Sequence, residues 1–159
     1  MTWIKQSLIF AGIAVLCALA TYLTHGEYDR RVPCVQSELA EHVVCLSTVL
    51  DDWAGNVVWV DARAEEEKLV KLTSALEITE AKADEELSSE EVLLTLFKAK
   101  GGGTNVVVFC QTDGCGSSKY IREKIITSGS HDKVYYQHGG WKAIASDGRL
   151  LENESFTAR

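Results

Sequence analysis

The chain has 159 residues, 46% of them hydrophobic and 25% charged, which excludes wholesale disorder. A net charge of −7 without any Lys/Arg cluster disfavours nucleic acid and anionic lipid as partners, because both are gripped by grouped cations. The five cysteines, Cys17, Cys34, Cys45, Cys110 and Cys115, contain no Cys-x-x-Cys pair, which disfavours a zinc ribbon or a thioredoxin-type motif.

In chain order, residues 8–20 carry no charged or strongly polar side chain, and residues 21–23 extend the run to about sixteen. A membrane-spanning helix needs ~20 apolar residues, with a lower edge of ~17. Trp3, Ile4 and Tyr22 suit the two interfaces, and Lys5 supplies a positive N-terminal flank. Residues 1–24 therefore read as a transmembrane anchor formed by one apolar helix. A buried core helix is the plain structural reading of the same run, and the other exported form is a signal peptide cleaved after Ala18-Leu19-Ala20. Anchor and signal peptide both export the domain: one gives a single-pass membrane protein with a periplasmic or extracellular domain, the other a secreted protein. Arg30 and Arg31 place positive charge on the second flank as well. Cys17 within the apolar run reads as a small hydrophobe. Residues 25–33 form a polar tether, and residues 34–155 form one domain.

Within that domain, residues 42–45 read as a short strand, and Ser47 as the N-cap of a turn bearing Val49, Leu50 and Trp53. The run Val57-Val58-Trp59-Val60 is β-branched and apolar throughout, the pattern of a strand buried on both faces, and it ends at Asp61-Ala62-Arg63. Residues 64–71 are charged and predict a helix; residues 76–78 predict a short strand. Ser88 with Glu91 three positions later reads as a capping box opening a helix with Val92, Leu93, Leu96 and Phe97, stopped by Gly101-Gly102-Gly103. Val106-Val107-Val108-Phe109 is a second buried-type strand. A helix follows over residues 117–127, then a strand over 133–136, a Gly139-Gly140 turn and a last short helix from Trp141. Strands alternating with helices predict an α/β fold with a central, mainly parallel sheet flanked by helices.

Ligands of open α/β sheets bind at the carboxyl ends of strands, and Cys110 stands at such an end. The segment Cys110, Gln111, Thr112, Asp113, Gly114, Cys115, Gly116, Ser117 then runs into a helix N-terminus. Free backbone N–H groups there, and others curled inward by a Gly-containing loop, stabilise negative charge. A thiolate, a persulfide or thiosulfate would be favoured at such a place. Burial as an ordinary core cysteine is the competing reading of Cys110. Cys115 in the same loop adds a second thiol able to exchange with it or to resolve it.

Four segments in order resemble the rhodanese-like family. Val57 to Arg63 is similar to the family's early strand ending in Asp-x-Arg; Val106 to Cys110 is similar to the strand that delivers its catalytic cysteine. Ser118, Ile121 and Ile125 match the following helix, and Val134 to Trp141 resembles the strand and Gly-Gly-aromatic turn near its end. The agreement covers about residues 43–148. The resemblance implies a rhodanese-like fold and sulfur transfer with Cys110 as nucleophile. Its partners would be a small sulfur donor such as thiosulfate or a persulfide, and a thiol acceptor. No cofactor is implied. Loop N–H groups from Gln111 to Ser117 would stabilise the anions, while Asp61 and Arg63 would hold the sheet beside the site.

The sequence also departs from that pattern. The loop from Cys110 to Ser118 is longer than the family's usual one, lacks Lys and Arg, and contains Asp113. The family's Gly-His-Ile segment after the first helix is missing; Leu72-Thr73-Ser74-Ala75 stands there, and Ile144 replaces an aromatic residue. These departures keep two other readings open: a non-catalytic binding module, and a dithiol redox protein using Cys110 and Cys115, in which a bond between them would mask the nucleophile. A phosphatase needs an arginine at the loop's end, where Gly116 and Ser117 stand. Cys34 and Cys45 read either as a disulfide stapling the start of the domain or as two free thiols. His138 stands in a segment expected near the loop, for proton transfer or as a surface histidine, and Lys119 is placed to offset Asp113. His25, His42 and His131 share no ligand spacing, so no metal site is proposed.

Overall fold

The computed structural model describes residues 34–152; the apolar segment 1–24 and the tether 25–33 lie outside the described residues. No helix of the described residues is long and apolar enough to cross a membrane.

Five parallel strands build one sheet: β1 (Val43–Val44), β2 (Val57–Asp61), β3 (Leu76–Glu77), β4 (Asn105–Phe109) and β5 (Val134–Gln137), in spatial order β1-β5-β4-β2-β3. The longest pairing sets β2 against β4, with Val57 opposite Asn105 and Asp61 opposite Phe109. The helices are α1 (Ala83–Ser88), α2 (Glu90–Gly102), α3 (Gly116–Thr127), α4 (Gly140–Asp147) and α5 (Arg149–Glu152).

Why the apolar runs lack the usual polar alternation is visible in the two cores. Successive side chains of a strand point to opposite faces. Val106 and Val108 enter the core beneath α1, α2 and α3, with Val60, Leu87, Val92, Leu96, Ile121 and Ile125. Val107 and Phe109 enter the opposite core with Trp59, Val44, Leu46, Val49 and Ile144. Both faces of β4 are thus dry, and Val106 to Phe109 are all fully buried. Being central and covered on both sides, β4 holds its carboxyl end, and Cys110 just beyond it, in a fixed position.

Three local expectations are corrected. Residues 64–71 do not form a helix: a single 3₁₀ turn, Glu65–Glu67, is followed by irregular chain. Contacts to the sheet override local propensity there. The Arg63 guanidinium takes the Val70 carbonyl at 2.8 Å, and the buried Lys68 ammonium reaches Glu65 at 3.1 Å and Glu77 at 3.3 Å. Next, Ser89 rather than Ser88 caps α2; its hydroxyl accepts from the Val92 N–H, while Ser88 ends α1 and donates to the Glu85 carbonyl. The α1 helix is an addition to the expected elements, and Asp84, Glu85 and Glu86 in its first turn complement the positive end of its dipole. Finally, Ser47 makes no side-chain cap; it has helical backbone angles and leads into a wide π turn, Thr48–Asp52.

Candidate active site

Cys110 directly follows β4 and is 3% exposed. Its backbone is clamped from the α4 side. The Trp141 N–H donates to the Cys110 carbonyl at 2.6 Å. Gly140, with φ of +58°, lies so close that a Cβ there would stand 2.5 Å from the Cys110 oxygen and 3.0 Å from the Thr112 nitrogen. Only a residue without a side chain permits that approach, which is the physical reason for the second glycine of the pair.

The loop then turns through Gly114, with φ of +72°, and ends at Cys115, the N-cap residue of α3. Among the described residues, the backbone N–H groups of Gln111 to Cys115 donate to no protein acceptor. The first N–H groups of α3 add to them, since a helix start leaves its donors free. The loop is therefore a concentration of unspent positive dipole ends beside two sulfur atoms. Those sulfurs are joined: Cys110 and Cys115 form a disulfide with Cα atoms 6.2 Å apart. The two are not equivalent. Cys110 is buried beneath the loop; Cys115 is half exposed at the head of a 12-residue helix. Gln111 Oε1 is buried without a partner among the described residues.

Asp113 is exposed and faces His138, whose Nδ1 lies 3.1 Å from its carboxylate. Lys119 does not offset Asp113 as expected; its ammonium sits 5.8 Å above the Tyr136 ring. The loop is instead linked across to the segment before α4, a pairing of residues 25 positions apart that spacing alone does not announce.

Behind the loop, Asp61 and Arg63 form a buried ion pair. The guanidinium donates to both carboxylate oxygens, at 2.9 Å through Nε and 2.7 Å through Nη2, and stacks 3.9 Å from the Trp141 ring centre. Through Trp141 this pair is tied to the Cys110 carbonyl, so it stiffens the site without touching the sulfurs. Beside the loop, a groove of about 510 Å³ opens between Ala62, Ala64, Glu66, Thr79, Lys82 and Ser117. Ser117 donates to Glu80 at 2.7 Å, so a carboxylate reaches the first turn of α3. Farther along the same edge, Lys68 holds the Glu65 carboxyl below its usual range by hydrogen bonding and charge. Burial pushes the Glu77 carboxyl up, but Lys71 and Lys68 together outweigh it and hold it low.

At the start of the domain, Cys34 and Cys45 are joined, with Cα atoms 5.7 Å apart, and the Cys45 N–H donates to Gln36 Oε1 at 2.8 Å. No His/Cys/Asp/Glu cluster suited to a metal occurs among the described residues.

The rhodanese-like domain model matches residues 49–147, well over half of the chain. The chain belongs to the rhodanese-like domain family. No curated protein matches it. Among solved structures, a rhodanese-related protein from Thermoplasma volcanium is similar at 12% identity and a TM-score of 0.46, over 74% of this chain and 99% of that one. A protein from Bacillus halodurans is similar at 14% identity and a TM-score of 0.45, over 80% of this chain and 82% of that one. A Rhodopseudomonas palustris protein, described as a possible tyrosine phosphatase, is similar at 17% identity and a TM-score of 0.42, over 64% of this chain and 74% of that one. The rhodanese-like domain here carries no Lys or Arg between Cys110 and Ser118, so its loop has no guanidinium to grip an anion in two places.

Proposed function

We propose that this rhodanese-like domain is a sulfurtransferase that carries sulfane sulfur as a persulfide on Cys110. The observation that carries the reading is the run of loop N–H groups, Gln111 to Cys115, that have no acceptor among the described residues and directly follow the buried Cys110 beyond the central strand. In the reduced protein they favour the Cys110 thiolate, which attacks the outer sulfur of thiosulfate or of a low-molecular-weight persulfide. The same dipoles then stabilise the persulfide anion until a thiol or cyanide removes the outer sulfur. Asp61, Arg63, Gly140 and Trp141 serve as positioning residues.

The Cys110–Cys115 bond favours a second reading, dithiol–disulfide exchange, in which the same pair shuttles two electrons. The two disulfides support an oxidising compartment, in line with a domain exported behind its apolar N-terminal segment and held at the membrane by it, or secreted after its removal.

The test uses the full chain in detergent as Cys115→Ser, so that Cys110 has no loop thiol to bond with. After reduction and removal of the reductant, it is supplied with thiosulfate and cyanide, and thiocyanate is measured. Steady thiocyanate production that is abolished by a further Cys110→Ser change supports sulfur transfer. No thiocyanate from a chain whose Cys110 thiol reacts with an alkylating reagent sinks it, and leaves the exchange reading.

A further inference from the structure

We propose that Cys115 is the resolving thiol of the sulfur-transfer cycle, so that the domain releases its bound sulfur as sulfide and closes to the Cys110–Cys115 disulfide. The inference rests on sulfur transfer through Cys110 and specifies the fate of the sulfur.

Three features of the loop carry it. The backbone brings the two sulfurs to bonding distance with Cα atoms 6.2 Å apart, so Cys115 reaches the Cys110 sulfur within this fold. The environments differ in the direction a resolving pair requires. Cys110 is buried and clamped through its carbonyl by Trp141, whereas Cys115 is half exposed and caps α3, where the helix start stabilises its thiolate. Finally, the loop has no cation to retain a persulfide anion, and its one carboxylate, Asp113, is turned to His138. A persulfide on Cys110 is thus held by main-chain dipoles alone, within reach of a second thiol.

The chemistry balances. The Cys110 thiolate attacks the outer sulfur of thiosulfate; the donor's S–S bond breaks and sulfite leaves with the electron pair. Cys115 then attacks the Cys110 Sγ of the persulfide. The outer sulfur takes the Cys115 proton first; as the Cys115 thiolate attacks, the Cys110–outer sulfur bond breaks and the outer sulfur departs with the electron pair as hydrosulfide. Hydrosulfide is the anion of a stronger acid than an alkyl thiol, so it is the better leaving group. The two cysteine sulfurs lose two electrons and the sulfane sulfur gains them. An external dithiol restores the pair by exchange, meeting the half-exposed Cys115 before the buried Cys110. The net reaction consumes thiosulfate and a dithiol and yields sulfite, sulfide and a disulfide.

The experiment mixes the reduced full chain, in detergent, free of reductant and under anaerobic conditions, with thiosulfate. Sulfide is quantified, and intact mass and peptide maps locate any retained sulfur; a Cys110→Ser chain measures what Cys34 and Cys45 contribute. The expected result is about one sulfide per wild-type chain with no sulfur retained and a new Cys110–Cys115 bond, while Cys115→Ser keeps the sulfur on Cys110 and releases none. Dithiothreitol added to the wild type then makes sulfide release catalytic. If the wild type also keeps the sulfur, on either cysteine, or if Cys115→Ser releases sulfide equally well, the resolving role is overturned while sulfur transfer stands. If Cys115→Ser takes up no sulfur at all, both proposals fall together.

Discussion

Replacing Gly140 by alanine tests how the site is held. The backbone there has φ of +58°, a left-handed conformation that costs an L-residue about 1–2 kcal/mol. The new methyl group would also lie 2.5 Å from the Cys110 oxygen and 3.0 Å from the Thr112 nitrogen, both main-chain atoms that no rotamer change can move aside. Relief requires the loop to shift away from α4, which strains or breaks the 2.6 Å bond from the Trp141 N–H. Overpacking of this kind costs about 1–3 kcal/mol. The two contributions together give about 2–5 kcal/mol, or a fall of about 1–3 M in the urea midpoint at a slope near 2 kcal/mol/M. Gly103→Ala is the control: φ there is +71° but nothing lies within 4 Å of its Cβ, so only the conformational part applies. The assay is urea unfolding of the full chain followed by tryptophan fluorescence, paired with thiocyanate production in the Cys115→Ser background. Gly140→Ala should lose more stability than Gly103→Ala and also transfer sulfur more slowly. Equal losses for the two, with unchanged transfer, would refute the idea that Gly140 sets the position of Cys110.

Three further predictions concern the frame. Arg63→Met strands the buried Asp61 carboxylate and should destabilise by about 3–5 kcal/mol, whereas Asp61→Leu with Arg63→Met should recover part of that loss in the same unfolding assay. A single change as harmless as an exposed one would mean the pair is not isolated from water. Replacing both Cys34 and Cys45 by alanine removes an 11-residue cross-link and should lower unfolding free energy by about 3 kcal/mol, with Cys110 chemistry retained; no change in denaturation midpoint would contradict it. His131 is buried, and burial lowers its pKa below the ordinary 6.5, so the folded state binds its proton less readily than the unfolded chain. Its contribution is therefore complete above about pH 6.5 and is lost as pH falls from there toward the lower folded value. Unfolding measured at about pH 7.5 and about pH 5.5 should show a smaller acid loss in His131→Gln than in the wild type, and identical losses would remove His131 as a cause.

How far residues alone reveal this architecture depends on whether the decisive contacts are local. The strands β2 and β4 are legible because Val57 to Val60 and Val106 to Phe109 are too apolar to lie anywhere but between two covered faces. The α3 helix is legible from Ile121 and Ile125, one turn apart and facing one core. Residues 64–75 are not, because Arg63 holds Val70 and Lys68 holds Glu77, ties that no local propensity contains. The two-residue strands β1 and β3 owe their existence to neighbours in the sheet, so their limits are not written in their own side chains. At the site, the placement of Cys110 at a strand end is readable from the run that precedes it. Gly140 reads as a turn residue only; its contact with the Cys110 carbonyl emerges when α4 packs beside β4. The Asp113–His138 pair is likewise a product of tertiary approach.

The central claim is that Cys110 carries sulfur, and the most direct measurement locates that sulfur. The reduced full chain bearing Cys115→Ser is treated with isotopically labelled thiosulfate, trapped with an alkylating reagent and mapped by peptide mass spectrometry. A labelled persulfide on the Cys110 peptide, absent from the Cys110→Ser chain, is the predicted result. Unlabelled, simply alkylated Cys110 after the same treatment would contradict it.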